Sequence, residues 1–301
     1  MYDGILRIEK PDGVNVIEYA DDIAIVVVAK TLDEVARNCN ATIAVAKSWL
    51  QNSGLELAEH KTEALLISSR KRIEQLSIKV GGVDIQSSPQ LTYLGVTLDS
   101  RLHFKTHLKQ SGDKASRVCS TLARLMPNIG GPKDIARVVL ASVSKSVMLY
   151  AASVWVHATT IKSFSRIMKS AHRLANLRIC HAYCTVSDDA AGVLAGRVPI
   201  DLEPLLARDS FFMRSRLRMN ETQQSLSHTY LEIRDKYLNE WQHRWDHSQK
   251  SRWMHSLMPN IKVWIYRGSG VLGFQLTQFL TGHGCFREYL YRFRLASNPY
   301  C

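Results

Sequence analysis

No apolar run in these 301 residues is long enough to cross a bilayer. The longest, VMLYAASVWV (147–156), is about ten residues, whereas a spanning helix needs about 20. It reads as a buried helix, and a membrane partner is not expected. The opening MYDGILRIEK lacks the apolar core of a secretory signal. Cysteine is scarce and scattered: Cys39, Cys119, Cys180, Cys184, Cys285 and Cys301 make no disulfide framework. That pattern fits a reducing, intracellular compartment. No internal repeat or low-complexity segment interrupts the chain. With 46% hydrophobic and 22% charged residues, long disorder is excluded. Acidic residues are the scarcer sign, 27 against 39 basic, for a net charge of +12. The excess favours a polyanionic partner, nucleic acid ahead of a membrane surface.

What is present divides near residue 100, and the chain reads as α+β. Its length allows a large core and two or three subdomains. Val14–Tyr19 and Ile23–Ala29 read as the arms of a β-hairpin, with Ala20-Asp21-Asp22 at the turn. A helix should follow: Thr31 suits an N-cap, apolar residues recur at Val35, Cys39, Ile43, Ala46 and Leu50, and Gly54 supplies a stop. ALLIS reads as a short strand, SIKVGGVDIQ as a hairpin turning at Gly81-Gly82, and QLTYLGVTL (90–98) as another strand. Beyond residue 100, helices are expected near 103–126, 133–157, 161–182, 201–220 and 226–256. PNIGGPK (127–133) is a break between two of them, and the last stretch mixes short elements.

The chemically suggestive feature is VIEYADDIAIVVV (16–28). Two adjacent carboxylates repel, and burying them is costly. A hairpin tip leaves Asp21 and Asp22 exposed on a rigid support. Two hard oxygen ligands there suit Mg²⁺, which binds through a few carboxylates, waters and substrate phosphates. Phosphoryl-transfer enzymes use two such ions. Taken alone, an acidic pair reads as a plain polar turn; what shifts the balance is the pattern of strand, aromatic, small residue, two aspartates, strand.

The ordered set of motifs narrows the choice. YADD resembles the catalytic tip of reverse transcriptases. GLELAEHKTE (54–63) resembles the next block of the polymerase palm, and YLG (93–95) the primer-grip hairpin after it. RLMPNIGGPK, HRLANLRI and LTGHGCFREYLYRF extend the resemblance almost to the last residue. The family it resembles is that of non-LTR retrotransposon reverse transcriptases, most nearly the type-1 elements inserting in arthropod ribosomal RNA genes. The resemblance implies the C-terminal part of a palm with primer grip over 1–100, and a helical thumb over 101–200. A C-terminal helical linker region would occupy 201–301, leading to a truncated zinc-knuckle-like segment. It implies RNA-directed DNA polymerisation: a primer 3′-hydroxyl attacks the α-phosphate of a deoxynucleotide, with two Mg²⁺ ions. Asp21 and Asp22 would hold the metal, Tyr19 would line the site, and Tyr93, Leu94 and Gly95 would hold the primer backbone. Lys61 would neutralise or protonate leaving pyrophosphate. Cys301 would be the first ligand of a Zn²⁺ site in a longer parent. The implied partners are element RNA, primer and target DNA, and deoxynucleotides, met in the nucleus during integration. An earlier palm aspartate, the fingers and an endonuclease are expected upstream, so this stretch alone should be inactive. A non-catalytic nucleic-acid-binding relic and an intron maturase are the alternative readings.

Charge on the later helices fits a grip on phosphates. Arg101–Arg137 holds eight Lys or Arg and two Asp. Lys105, Lys109, Arg117 and Arg124 project within a third of a helical turn. Lys162, Arg166, Lys169 and Arg173 share one narrow face, with Phe164, Ile167, Met168, Ala171 and Ala175 opposite. Such faces read a duplex by backbone and shape; a solvated charged face is the plain alternative. CHAYC (180–184) offers only three crowded ligands, too few for the usual zinc site. His283 and Cys285 read as structural. Trp241, Trp245 and Trp253 recur at helical spacing and read as core.

Overall fold

A computed structural model describes residues 2–72, 74–217, 223–268 and 270–300. The chain divides into two compact units, Met1–His103 and Phe104–Cys301. The first is mixed: β1 (Val14–Tyr19), β2 (Asp22–Val27), α1 (Leu32–Asn52), β3 (Ala64–Leu65), β4 (Ser77–Val80), β5 (Val83–Ser88), β6 (Gln90–Tyr93) and β7 (Val96–Asp99). The strands form two antiparallel hairpins, β1-β2 and β6-β7, and a sheet of order β3-β5-β4. Helix α1 organises them because both of its ends are well capped. Thr31 Oγ1 accepts from Glu34 N at 3.3 Å. At the other end Gly54 N donates to Gln51 O and Leu55 N to Leu50 O, a Schellman closure with Gly54 in the left-handed region. Ile43, Leu76, Ile78 and Val80 form one core against Val35, Cys39 and Ile25, while Ile5, Ala46 and Leu50 form another against Ile23. The helix thus backs the β1-β2 hairpin with the stripe its apolar spacing implied.

The second unit is helical. It comprises α2 (Lys105–Ala123), α3 (Asp134–Leu149), α4 (Ala152–Trp155), α5 (Lys162–Ile179), α6 (Asp188–Ala195), α7 (Glu203–Leu217), α8 (Gln223–His247), α9 (Arg252–Leu257), α10 (Ile261–Ile265), α11 (Phe274–Thr281) and α12 (Arg287–Arg292). Helices α2, α3 and α5 pack on one another, and α5 also packs on α6. The larger core gathers Val193, Leu194, Leu238, Trp241, Trp245 and Met254. Among the described residues no single helix is long and apolar enough to cross a membrane. The apolar run at 147–156 puts Met148, Ala152, Trp155 and Val156 inside.

Four expectations are corrected. The 90–98 stretch is not one strand but the β6-β7 hairpin, turning at Leu94-Gly95, both at positive φ. The 133–157 helix breaks where Ala151 takes a φ of 52°, and the 226–256 helix where Ser251 takes 61°. Helix α6 was not expected, although Ser187 caps it through Ala190 N and Gly196 ends it. Trp253 is half exposed, donating to Phe279 O at 3.0 Å, whereas Trp241 and Trp245 are core.

Candidate functional site

The register Tyr19↔Asp22 leaves a two-residue turn, Ala20-Asp21. Asp22 therefore opens β2 instead of belonging to the turn. Asp21 projects from the tip itself, and Asp22 shares a face with Tyr19, because cross-strand partners point the same way. Ala20 sits at φ 55°, where an L-residue is disfavoured. Both carboxylates are exposed, and neither makes a hydrogen bond or ion pair with a described residue. Tyr19 is 64% exposed beside them.

The β6-β7 hairpin is tied to this tip electrostatically. The Tyr93 hydroxyl oxygen is buried and has no hydrogen-bond partner among the described residues. Burial, reinforced by the negative charge of Asp22, raises its pKa above the ordinary phenol value. Tyr93 and Asp22, 71 positions apart in sequence, are thus close enough for the charge of one to act on the other. Type I′ turns need positive φ at both central residues. Gly95 supplies this freely, and Leu94 adopts a φ of 47° against its preference.

Lys61 ends a short 3₁₀ turn, Glu59–Lys61, with its ammonium exposed and without a partner among the described residues. Glu59 fixes that turn. Its carboxylate accepts from Lys47 on α1 at 2.5 Å, which is the first reason its pKa is lowered. It also reaches the β4-β5 turn: a Cβ on Gly81 would stand 1.9 Å from Glu59 Oε1. Sequence reasoning missed Glu59 and Lys47. An acidic residue inside GLELAEHKTE was the only visible signal. Among the described residues no hydrogen bond or ion pair joins Lys61 to the aspartates.

On the helical unit, Lys105, Lys109, Arg117 and Arg124 are all exposed, Arg124 one residue beyond α2. On α5, Arg166 and Lys169 are exposed, and Met168, Ala171 and Ala175 are buried opposite. The side chains of Lys162, Phe164 and Ile167 lie outside the described residues, as does Cys301. Arg173 is engaged internally: it pairs with Asp188 and donates to the carbonyls of Cys184 at 2.6 Å and Val186 at 2.7 Å. Arg137, counted by sequence with the basic stretch, is fully buried.

Within CHAYC, Cys180 is buried, donates to Asn176 O at 3.0 Å, and has its thiol pushed up to about 12 by burial. His181 Nδ1 bonds Asn128 O at 2.9 Å, and Cys184 is exposed. His283 bonds Thr281 O at 2.9 Å and packs on Tyr289, while Cys285 is exposed. Among the described residues no group of His, Cys, Asp or Glu is arranged to hold a metal ion by itself. A pair of carboxylates at a turn is a different kind of site, one completed by substrate phosphates and water.

No protein-family model matches the chain, and no solved structure matches it. Relatives are found among characterised sequences. A "Retrovirus-related Pol polyprotein from type-1 retrotransposable element R1 2" of Nasonia vitripennis is 26% identical over 304 residues, covering 96% of this chain and 74% of the relative. The corresponding R1 polyprotein of Bradysia coprophila is 25% identical over 96% of this chain but only 30% of its own length. A "Probable RNA-directed DNA polymerase from transposon BS" of Drosophila melanogaster is 33% identical over 96 residues, covering 30% of this chain and 10% of that protein. The chain is similar over nearly its whole length to Pol polyproteins of retrotransposable elements. More particularly, its nearly full-length similarity is to those of the type-1 element R1.

Proposed function

We propose that this chain is the part of an R1-type Pol polyprotein that carries the metal-binding tip of a reverse transcriptase palm, its primer grip and its thumb. The observation that carries the reading is the pair of exposed carboxylates, Asp21 and Asp22, that no described cation neutralises at a hairpin tip, with a second hairpin whose Tyr93 feels the charge of Asp22. A primer-grip hairpin next to a carboxylate tip is what nucleotidyl transfer requires, since the primer end must face the metal. The residues fit Mg²⁺, because Asp21 and Asp22 offer hard, exposed oxygens that no protein cation already holds. Bound there, two Mg²⁺ ions would stabilise the attacking and leaving oxygens of the displacement. Tyr19, on the Asp22 face, bounds the space for the primer end. Leu94 and Gly95 bring main chain close to the primer backbone. Lys61, held by Glu59, offers an ammonium to pyrophosphate. Lys105, Lys109, Arg117, Arg124, Arg166 and Lys169 would hold the template–primer duplex. The substrates in this reading are element RNA, target DNA and deoxynucleotides, and the setting is the nucleus during integration.

Primer extension by a full-length parent tests the assignment. Asp21→Asn or Asp22→Asn should each reduce polymerisation on the order of 100-fold or more. Template binding should stay within a few-fold. Wild-type extension in both variants would refute the site. Normal folding and duplex binding with no Asp21 or Asp22 dependence, and no extension by the wild-type parent, would favour a binding relic.

A further inference from the structure

A cavity of about 200 Å³ lies within the helical unit, walled by α5, α6, α8 and the 197–201 segment. Of its wall, only Lys169 at the rim belongs to the basic face of the polymerase reading. Two of its wall side chains are more than nine-tenths buried and hold polar atoms without partners, Arg197 at Nη1 and Nη2 and Asn176 at Oδ1. Buried polar groups are nearly always bonded, so the two free donors of Arg197 call for a missing acceptor.

The charges decide its sign. Glu203 is the acid whose field Arg197 feels, but it makes its ion pair with Lys145 at 2.7 Å. The wall carboxylates are also engaged. Asp188 pairs with Arg173, Asp201 with Arg244 at 2.5 Å, and Asp189 accepts from Ser248 at 2.7 Å. Lys169, at the exposed rim, has no ion-pair partner among the described residues. Arg197 and Lys169 are left without ion pairs against Asp189, whose partner is a neutral hydroxyl, so the cavity keeps one net positive charge. His172 adds a neutral ring. Burial, then the charges of Arg197 and Lys145, hold its pKa well below the ordinary imidazole value, a backbone hydrogen bond with Val198 opposing them. Its Nδ1 faces Asn176 Nδ2 at 3.2 Å. An amide nitrogen only donates, so with the amide in this orientation the ring hydrogen sits on Nε2.

We propose that this cavity is an oxyanion site for a single phosphoryl group, anchored by Arg197, with Lys169 at the mouth. Donors on separate walls suit a tetrahedral group with several acceptor oxygens better than a planar carboxylate, and a guanidinium fork binds phosphate oxygens in pairs. The space is below the ~300 Å³ of a typical small-molecule pocket, so a phosphate enters and the rest of its carrier stays outside. That carrier is either a free nucleotide or the phosphorylated end of a nucleic-acid strand. The proposal stands whether or not the polymerase reading does.

Calorimetry and thermal unfolding of the 301-residue chain test it, at fixed ionic strength. The probes are inorganic phosphate, a deoxynucleoside triphosphate, and one oligonucleotide with either a 5′-phosphate or a 5′-hydroxyl. Expected is saturable one-to-one binding and a rise in Tm with phosphate. Arg197→Gln should weaken binding on the order of tenfold, and Lys169→Gln about threefold. Removing an unneutralised buried charge should leave the Tm of unliganded Arg197→Gln unchanged or higher, whereas a purely structural arginine predicts a lower one. Preference for the 5′-phosphate end assigns the strand as carrier; equal binding of both ends with saturation by the triphosphate assigns the free nucleotide. If Arg197→Gln fails to fold, Lys169→Gln decides alone. No saturable binding of any phosphate, or affinity unchanged in the variants that fold, overturns the proposal.

Discussion

Ala20 is the residue whose conformation and identity disagree most plainly. Its φ of 55° belongs to the region that glycine and asparagine occupy cheaply. Ala20→Gly should relieve roughly 1 kcal/mol of this disfavour, offset in part by the unfolded-state entropy of glycine. Slower amide exchange along the Val14–Val27 ladder would show it, and faster exchange would argue that the alanine methyl packs usefully. Arg137 is the opposite case, a charge that structure consumes entirely. Its guanidinium donates to the carbonyls of Pro127, Gly130, Pro132 and Arg178, at 2.5 to 3.0 Å. It shapes the PNIGGPK loop by satisfying carbonyls that a loop cannot satisfy itself. Arg137→Ala should cost about 3 kcal/mol or more, since several buried acceptors lose their donor at once. Urea unfolding checks this, and a loss under about 1 kcal/mol would mean water replaces the side chain.

At the scale of elements, α7 and α8 are tied by Tyr237, whose hydroxyl donates to Asp209 at 2.6 Å. Burial first, then this bond, pushes the Tyr237 phenol up to about 12. The folded value lies above the unfolded one of ~10. The associated stability is therefore complete below about pH 10 and is lost as pH rises toward 12. Tyr237→Phe should remove that part of the alkaline slope and cost about 1–2 kcal/mol at neutral pH. Unfolding curves from pH 8 to 11.5 provide the measurement, and an unchanged slope in the variant would contradict the pairing. The β1-β2 hairpin shows a different economy. Val14 and Val16 face α1, while Ile17, Tyr19, Val26 and Val28 are exposed.

For the whole molecule, a charge of +12 predicts salt-dependent binding to nucleic acid, but only placement says where. Lys105→Glu with Lys109→Glu should weaken duplex binding about equally for all sequences and flatten the log–log salt slope by roughly 1–2 units. The same charge change at Lys71 and Lys250, both exposed, should alter the slope less. Equal slopes for the two pairs, in binding measured from 50 to 300 mM salt, would deny the α2 face a special role.

The hairpin tip, the α1 stripe and its two caps were legible in the sequence because each is local. Alternation, helical spacing, a threonine cap and a glycine stop act over a few residues. The resemblance of YADD and YLG pointed to one site through order alone, and that Tyr93 feels the charge of Asp22 depends on how the first unit folds. The breaks at Ala151 and Ser251 were hidden, since neither residue type favours positive φ and only tertiary packing holds them there. Charge was legible in amount but not in location. Lys109 and Arg137 look alike in a basic stretch, yet one faces solvent and the other holds a loop from inside. The Arg197 cavity likewise has no linear signature, because α5, α6, the 197–201 segment and α8 become its walls only when the helices close around it.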